Sequence, residues 1–270
     1  MPNAAFDLPA YLNRIGYNGE CRPNLETLQS LHQHHVQAVP FENLSVLLGE
    51  RISLDPKVIS EKIIGQRRGG YCFEQITLFR EVLQLIGYQV TPLLARVRWK
   101  VPPEVRTPLT HMVLRVVVAD QPWLADVGFG AIGTPAPLRL DTSNEQPTTH
   151  EPRRIICIKH FCTHQVRIGE VWQDIYQFAQ TPPAPIDFEL GNWYSCTHPK
   201  ALFVNNLIVT RVIPEGRYSI YNREFTWRDR QGKASISTIR SMGELHNLLR
   251  EKFGLNLSEE NNLTIPSAPW

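Results

Sequence analysis

The residue in this chain best suited to nucleophilic chemistry is a cysteine that follows two glycines at the start of a predicted helix. Cys72 comes after Gly69 and Gly70, and apolar residues recur from Phe73 to Ile86 in the i, i+3, i+4 rhythm of a buried helix face. Amide donors and the dipole at a helix N-terminus favour a thiolate over a thiol. Glycines let a substrate approach the main chain. The pattern indicates a reactive cysteine, although a buried structural cysteine after an ordinary turn has the same sequence.

A nucleophilic cysteine needs a base, and the base needs a group that orients it. The downstream residues that suit these roles are His111, which opens a predicted strand, and Asp126, which closes the next one. A histidine with one ring nitrogen toward a carboxylate and the other toward a thiol forms a Cys-His-Asp arrangement. For His111 taken alone, a histidine satisfied within the core is the structural alternative.

The distance between His111 and Asp126 depends on the register of the hairpin that carries them. If the turn spans Val118 to Gln121, the two are diagonal neighbours on one face, roughly 7 Å apart and within side-chain reach. If the turn spans Ala119 to Pro122, they are about 13 Å apart and the arrangement requires a bulge. The sequence is compatible with both registers.

The composition is that of a globular protein. The chain has 270 residues, of which 42% are hydrophobic and 20% charged, with a formal net charge of +2. Neither a disordered chain nor a basic nucleic-acid-binding surface is indicated. No apolar segment reaches the length of a membrane span, and residues 1–17 lack the apolar region of a signal peptide. Five cysteines, an odd number, favour reduced thiols over a disulfide framework. We therefore expect a cytoplasmic protein that binds neither nucleic acid nor membrane.

The hydrophobic patterns divide the chain into three regions and predict an α+β fold. Residues 1–87 are predicted to form a helical bundle that carries the nucleophile, and residues 88–186 form an antiparallel barrel or sandwich of short strands that carries the base and its orienter. Residues 187–270 are a mixed α/β region. It closes with a helix from Ser241 to Phe253, which starts with a capping-box pattern.

Two clusters of metal-ligand side chains lack the spacing of a metal site. They are His32, His34 and His35 in one stretch and Cys157, His160, Cys162 and His164 in another. On a helix, His34 faces away from its two neighbours, and on a strand, Cys157 faces away from the other three. Neither set offers three or four convergent ligands. We predict no metal and interpret the first stretch as the polar flank of a helix and the second as an ordinary strand.

The motifs around these residues follow one another in a fixed order along nearly the whole chain. They are Arg68-Gly69-Gly70-Tyr71-Cys72-Phe73-Glu74, His111-Met112 and Trp123 to Gly130, with Pro40 to Leu44, Asp187-Phe188, Gly191-Asn192, Thr197 to Pro199 and Phe253 to Leu255 as supporting matches. This ordered set resembles the arylamine N-acetyltransferase family. Two places differ from many relatives: Ala131 stands where a glycine is common, and Gln75-Ile76 where an asparagine is common.

The resemblance implies a helical bundle, a β-barrel and a C-terminal α/β lid around a core like that of cysteine proteases and transglutaminases. It implies Cys72 as the acyl-accepting nucleophile, His111 as base and Asp126 as orienter. The implied reaction is acetyl transfer from acetyl-CoA to arylamines or arylhydrazines, with O-acetylation of N-hydroxyarylamines as a related reaction. It would run as a ping-pong mechanism through an acetyl-cysteine. Xenobiotic metabolism is the implied setting, and a monomer or homodimer the implied assembly.

The resemblance also implies binding residues. Positions that match the acceptor pocket of the family are Phe41, Val97, Phe129 and Phe203. Flat apolar walls suit an aromatic ring, but any of the four could instead be ordinary core. In the loop after Asp126, the positions expected to contact the CoA diphosphate are Gly128, Gly130 and Thr134. A turn that simply ends a strand would have the same sequence.

Three other functions are compatible with the same residues. A cysteine hydrolase or transglutaminase would use the same three side chains, because the arrangement does not encode the acyl donor. An amide synthase would close a macrocycle or accept a longer acyl chain. A non-catalytic binding protein would retain the fold, and its Cys72 would react no faster than the other four cysteines.

Overall fold

The structure, a computed structural model, describes residues 6–258 and 263–269. The helices are α1 (Leu8–Ile15), α2 (Leu25–Ala38), α3 (Leu44–Leu47), α4 (Pro56–Ser60), α5 (Cys72–Ile86), α6 (Pro185–Thr197), α7 (Leu202–Asn205) and α8 (Met242–Phe253), and a π-helical turn, Glu61–Gly65, continues α4. The strands are β1 (Phe41–Glu42), β2 (Gln89–Val97), β3 (Leu109–Val118), β4 (Gln121–Ala125), β5 (Leu138–Arg139), β6 (Arg153–Ile158), β7 (Phe161–Ile168), β8 (Val171–Ala179), β9 (Ile208–Ile213), β10 (Gly216–Tyr221), β11 (Glu224–Asp229) and β12 (Ala234–Thr238). The prediction that residues 1–17 lack a signal peptide lies partly outside the described residues. The predicted regions 1–87 and 187–270 also extend beyond them.

The helices of the N-terminal region begin and end at residues that satisfy their terminal backbone groups. Asn24 caps α2 by accepting a hydrogen bond from the Thr27 amide at 2.9 Å. Gly87 ends α5 in a left-handed conformation with φ 103°, as its position predicts. The apolar faces of α1, α2 and α5 meet in one core that contains Tyr11 and Leu28. This packing holds the first turn of α5, where Cys72 lies, inside the molecule.

The central sheet has seven antiparallel strands in the order β5-β4-β3-β2-β8-β7-β6 and curls into a nearly closed barrel. Leu114 pairs with Ala125, and Val118 pairs with Gln121, so the first of the two hairpin registers is confirmed. Ala119 and Asp120 form the turn with positive φ of 49° and 61°, the backbone of a two-residue type I′ turn. These residues lack the asparagine-glycine pattern that announces such a turn, so the sequence could not select the register.

The second sheet has five strands in the order β1-β9-β10-β11-β12 and is covered by α8. Its first strand comes from the N-terminal region, where Phe41 pairs with Thr210. A two-residue strand is too short to leave a periodic pattern. The α+β architecture is confirmed. The boundaries 1–87, 88–186 and 187–270 remain a prediction. The pairing of β1 with β9 joins the first of these regions to the third. The helix α6 was missed, because its sequence was interpreted only as a mixed segment.

The expectation of five reduced cysteines is wrong for one pair. Cys157 and Cys162 face each other across the β6–β7 hairpin and form a disulfide. The chain reverses at Lys159 and His160, so the two cysteines lie on neighbouring strands rather than on opposite faces of one strand. Cys21, Cys72 and Cys196 are free thiols. The cysteine count therefore does not by itself indicate a reducing compartment.

Neither histidine-containing stretch forms a metal site in the structure. Within residues 6–258 and 263–269, no group of three or more His, Cys, Asp or Glu side chains is arranged to hold a metal ion. In the same part of the chain, every helix is too short or too polar to cross a bilayer.

Candidate active site

The barrel hairpin brings the predicted base and its orienter together. His111 Nε2 lies 2.9 Å from Asp126 Oδ2, and both side chains are buried. A carboxylate only accepts hydrogen bonds, so Nε2 donates to it and Nδ1 remains for another partner. Asp126 Oδ1 accepts from the Gly128 amide at 3.0 Å. The carboxylate is thus fixed at both oxygens, and the imidazole orientation follows from it.

Cys72 is the first residue of α5, as its position after the glycines predicts. It is buried, and its Sγ lies 3.6 Å from the carbonyl oxygen of Thr110, the residue before His111. The helix N-terminus and the start of β3 therefore meet at the sulfur. The three predicted catalytic side chains, although distant along the chain, converge at one place.

The pKa of His111 is raised to about 10. Burial by itself would lower this pKa, but the charge and hydrogen bond of Asp126 outweigh it, and Cys72 contributes in the same direction. The pKa of Asp126 is lowered, because the interaction with His111 and the Gly128 amide exceed the effect of burial. The imidazole is therefore held as an imidazolium between the Asp126 carboxylate and the Cys72 sulfur.

Two glycines permit the close packing around Cys72. A Cβ on Gly69 would lie 2.2 Å from the Pro40 carbonyl oxygen, and a Cβ on Gly128 would lie 2.9 Å from Cys72 Cα. Neither glycine has a positive φ, so space rather than backbone conformation demands glycine at both positions. The loop before α5 and the loop after β4 approach the nucleophile through these contacts.

Two ion pairs, each between a buried carboxylate and a partly buried cation, anchor the loop that leads to Cys72. Arg68 Nη2 donates to Glu42 Oε1 at 2.9 Å, and Lys62 Nζ donates to Glu74 Oε1 at 2.7 Å. Glu74 Oε2 also accepts from the Tyr71 amide, which completes the cap of α5. Removing one partner of such a pair leaves a buried charge uncompensated, so these contacts fix the position of the loop.

Two of the α2 histidines that were interpreted from the sequence as a polar flank, His32 and His35, are buried and support the site. His32 Nε2 accepts from the Asp126 amide at 3.2 Å. His35 Nε2 donates to Gln75 Oε1 at 3.1 Å, and Gln75 Nε2 donates to the Gly70 carbonyl at 2.6 Å. Burial lowers the pKa of His32 to about 4 and that of His35 to about 3, so both are neutral. The sequence does contain a signal for the burial of His35, because it follows Leu28 and Leu31 at the spacing of the apolar face of α2.

The chain is similar to known proteins over most of its length. A family model described as N-acetyltransferase matches residues 24–262 of the chain. An arylamine N-acetyltransferase of Mycolicibacterium smegmatis is 38% identical over 263 residues, which cover 94% of each chain. The chain belongs to the arylamine N-acetyltransferase family.

Two further relatives bear on the reaction of this arylamine N-acetyltransferase family member. A Salmonella typhimurium protein named arylamine N-acetyltransferase / N-hydroxyarylamine O-acetyltransferase is 38% identical over 254 residues, covering 93% of this chain and 90% of its own. The solved structure of Mycobacterium marinum arylamine N-acetyltransferase in complex with CoA matches with a TM-score of 0.89 and 34% identity, covering 93% of each chain.

Three of the four residues predicted to line the acceptor pocket cluster beside the triad. The Phe41 and Phe203 rings are 5.7 Å apart, and Phe129 packs edge-on against His111 at 5.1 Å. Phe203 also packs edge-on against Tyr71 at 5.5 Å. Val97 lies at the end of β2, where it pairs with Tyr176 in the barrel. Phe129 thus lies against the predicted base, and Phe203, packed on Phe41, lies against Tyr71, the residue before Cys72.

The three residues predicted to contact CoA have different surroundings. The Gly128 amide already donates to Asp126, and the buried Thr134 hydroxyl donates to the Ala136 carbonyl at 2.9 Å. A Cβ on Gly130 would lie 2.4 Å from the Phe41 ring. In this loop the partly exposed Phe129 ring packs against His111, whereas Ala131 is exposed. The outer edge of the loop is therefore the part open to a ligand.

The raised pKa of His111 makes a prediction about stability and pH. A group whose pKa is higher in the folded state stabilises the fold fully below its unfolded pKa of about 6.5 and loses this effect as pH rises through about 10. The difference in unfolding free energy between the wild type and His111→Gln should therefore shrink between pH 7 and pH 10.5. Chemical denaturation at a series of pH values measures it. His160→Gln, in an exposed turn, is the control, and a difference that grows with pH would contradict the prediction.

Proposed function

We propose that the chain transfers an acetyl group from acetyl-CoA to the nitrogen of arylamines and arylhydrazines through an acetyl-cysteine on Cys72. The observation that carries the proposal is the position of His111, hydrogen-bonded to Asp126 through Nε2 at 2.9 Å, with its other nitrogen left for the buried thiol at the helix N-terminus. Family membership supports acetyl transfer as the chemistry.

In the first half-reaction, the Cys72 thiolate attacks the carbonyl carbon of the thioester, the C–S bond to CoA breaks, and the CoA sulfur takes a proton from the His111 imidazolium. The first backbone amides of α5 have no partner within the helix and lie at its N-terminal end, where Cys72 is located. In this proposal they stabilise the negative charge that develops on the thioester carbonyl oxygen. Exchange of one thioester for another is nearly isoenergetic. Positioning and a preformed thiolate therefore account for most of the catalysis in this step.

In the second half-reaction, the amine nitrogen attacks the acetyl-cysteine and neutral His111 takes its proton, so that the Cys72 thiolate is restored. Aromatic amines are weak bases, and their nitrogen lone pair is free at neutral pH. Alkylamines arrive protonated and react poorly for that reason. Hydrazines fit the same step. Attack by a hydroxyl oxygen of an N-hydroxyarylamine uses the same base, as the name of the Salmonella typhimurium relative suggests.

Phe41, Phe129 and Phe203 supply the acceptor pocket in this proposal, with Val97 at its outer margin. Aromatic rings stack favourably on aromatic walls and exclude water. Exclusion of water matters, because hydrolysis of the acetyl-cysteine competes with transfer. The edge-on contact of Phe129 with His111 supports a position of this pocket beside the base.

Acetyl-CoA is the proposed donor, and the loop 128–134 its proposed contact. The CoA complex of the Mycobacterium marinum relative supports the donor class. Because Gly128 and Thr134 use their donors internally, we assign the diphosphate contact to the exposed edge of the loop at Ala131, next to Gly130. Gly128, Gly130 and Thr134 then shape this edge. The reaction as proposed uses no metal. We further propose a cytoplasmic enzyme of xenobiotic metabolism, acting as a monomer or homodimer.

Intact-mass spectrometry after mixing the protein with acetyl-CoA alone tests the proposal. We expect one adduct of about 42 Da, the mass of an acetyl group in covalent catalysis, located on Cys72 and absent in Cys72→Ala. Cys21 and Cys196 are free thiols and serve as internal controls. Addition of an arylamine should discharge the adduct. No adduct, or one shared equally among the three thiols, would contradict the proposal.

The same experiment separates the alternatives. A hydrolase would lose the acetyl group in buffer as fast as with amine present. An amide synthase would load a longer acyl-CoA in preference to acetyl-CoA. A binding protein would show no covalent adduct at Cys72.

A further inference from the structure

A cluster of three buried charged side chains lies next to the active site but is not part of the triad. Arg153 is fully buried, and Glu151 and Arg217 are nearly so. Arg217 Nη1 donates to Glu151 Oε1 at 2.8 Å and Nη2 donates to Oε2 at 3.1 Å. Arg153 Nη2 lies 3.4 Å from Glu151 Oε2. One carboxylate thus partners two guanidinium groups.

The Nη2 groups of both arginines also hold the loop that follows Asp126. Arg153 Nη2 donates to the carbonyl oxygens of Ile132 at 2.8 Å and Gly133 at 3.1 Å. Arg217 Nη2 donates to the same Gly133 oxygen at 3.1 Å. Arg153 lies on β6 of the barrel, and Arg217 lies on β10 of the second sheet. Side chains from the two sheets therefore converge on one peptide of the loop.

Gly133 packs closely against the earlier part of the same loop. A Cβ on Gly133 would lie 2.5 Å from the Phe129 carbonyl oxygen, so the loop folds back on itself with no room to spare. Phe129 in turn packs against His111. A small cavity is lined by Gly133, Arg217, Phe129 and Asp126. The cluster thus borders the same space as the orienter of the triad.

Stability alone does not explain this cluster. Burying charges costs several kcal/mol per ion before pairing, and apolar replacements of whole buried ion clusters are often neutral or stabilising. Guanidinium groups, however, bind several acceptors at fixed angles, which makes them suited to holding backbone carbonyls in place. The pKa of Glu151 is lowered to about 2, because the hydrogen bonds and charge of Arg217 and the charge of Arg153 outweigh burial. The cluster therefore stays charged across the working pH range.

We propose that Arg217 and Arg153, held by Glu151, are positioning residues that keep the loop 128–134 in the shape that receives acyl-CoA. The inference rests on the proposed donor role of this loop. Without the clamp, the peptide at Gly133 is free to turn, and the outer edge of the loop loses its fixed spacing to Cys72. Attack on an acyl donor that lacks the CoA moiety does not need this spacing.

The test compares two acyl donors in Arg217→Met and Arg217→Lys. We expect the KM for acetyl-CoA to rise about 10-fold or more, a typical effect of removing a residue that orients a binding group. Acetylation of Cys72 by 4-nitrophenyl acetate should change less than about 2-fold. Arg217→Lys retains the positive charge beside Glu151 but cannot bind both carboxylate oxygens and Gly133, so it remains informative if Arg217→Met does not fold.

Arg167→Met is the matched control, because Arg167 is a partly exposed barrel arginine paired with Glu145 at 2.9 Å. It should leave both donors unaffected. Equal losses with both donors, or no change with either, would overturn the proposal. Failure of the proposed function has a different signature, since the wild type itself would then form no acetyl-cysteine from acetyl-CoA.

Discussion

Asp126→Asn is expected to lower kcat for acetyl transfer by about 10³- to 10⁴-fold, the size of effect known for the same change in a Ser-His-Asp triad. Asp126 Oδ1 accepts from the Gly128 amide, and Oδ2 accepts from His111 Nε2. An asparagine that retains the first bond must present its NH₂ group to Nε2. The proton then moves to Nδ1, the nitrogen that faces the thiol, and His111 no longer acts as a base toward Cys72.

Steady-state kinetics with acetyl-CoA and an arylamine measure the loss of activity, and NMR titration of His111 measures its cause. Loss of the carboxylate charge should lower the His111 pKa from about 10, because burial, which lowers it, is then opposed only by Cys72. Asp141→Asn is the control, since Asp141 forms an ion pair with Arg139 at the surface. Near-wild-type kcat in Asp126→Asn would rule out its role as orienter.

Gly69→Ala is expected to destabilise the protein by about 3 kcal/mol and to reduce activity further than the loss of folded protein explains. The added Cβ would lie 2.2 Å from the Pro40 carbonyl oxygen, a backbone atom that cannot rotate away. The loop must shift, and it carries Arg68 and Gly70, which bind Glu42 and Gln75. Cys72 follows the loop at the start of α5, so its distance to His111 changes.

Thermal denaturation and the rate of Cys72 acetylation check this prediction. Gly243→Ala is the matched control: Gly243 lies in the first turn of α8, and a Cβ there would meet only Ser241 Oγ at 4.0 Å. In a helix this change should be neutral or slightly stabilising. If Gly69→Ala behaved like Gly243→Ala, the close contact with Pro40 would not constrain the nucleophile loop.

Local patterns were sufficient for much of the site. The glycines before Cys72 and the apolar rhythm after it predicted a cysteine at a helix N-terminus, and the structure has α5 start at Cys72. The placement of His111 and Asp126 on consecutive strands predicted their proximity in one of two registers. The register itself depends on a turn at Ala119 and Asp120, whose residue types do not demand positive φ.

Other features depended on contacts between distant segments and could not be predicted. The burial of His32 follows from packing of α2 against the loop after β4, which supplies the Asp126 amide as its partner. The disulfide between Cys157 and Cys162 follows from a hairpin turn at Lys159 and His160 that was interpreted as continuous strand. In both cases a polar residue was assigned from its neighbours in sequence, while its partner lay on another element.

Residue types and short spacings were sufficient to predict the α+β class, the family and the three side chains of the candidate site, Cys72, His111 and Asp126. These features can be recognised from residues that are neighbours in sequence, without knowledge of the tertiary contacts. Three features are seen only in the tertiary structure. They are the hairpin register, the convergence of Arg153 and Arg217 on Gly133, and the contacts of His32 and His35 with the candidate site. Burial gives these polar contacts their importance, because a buried donor or charge must find a partner wherever the fold supplies one.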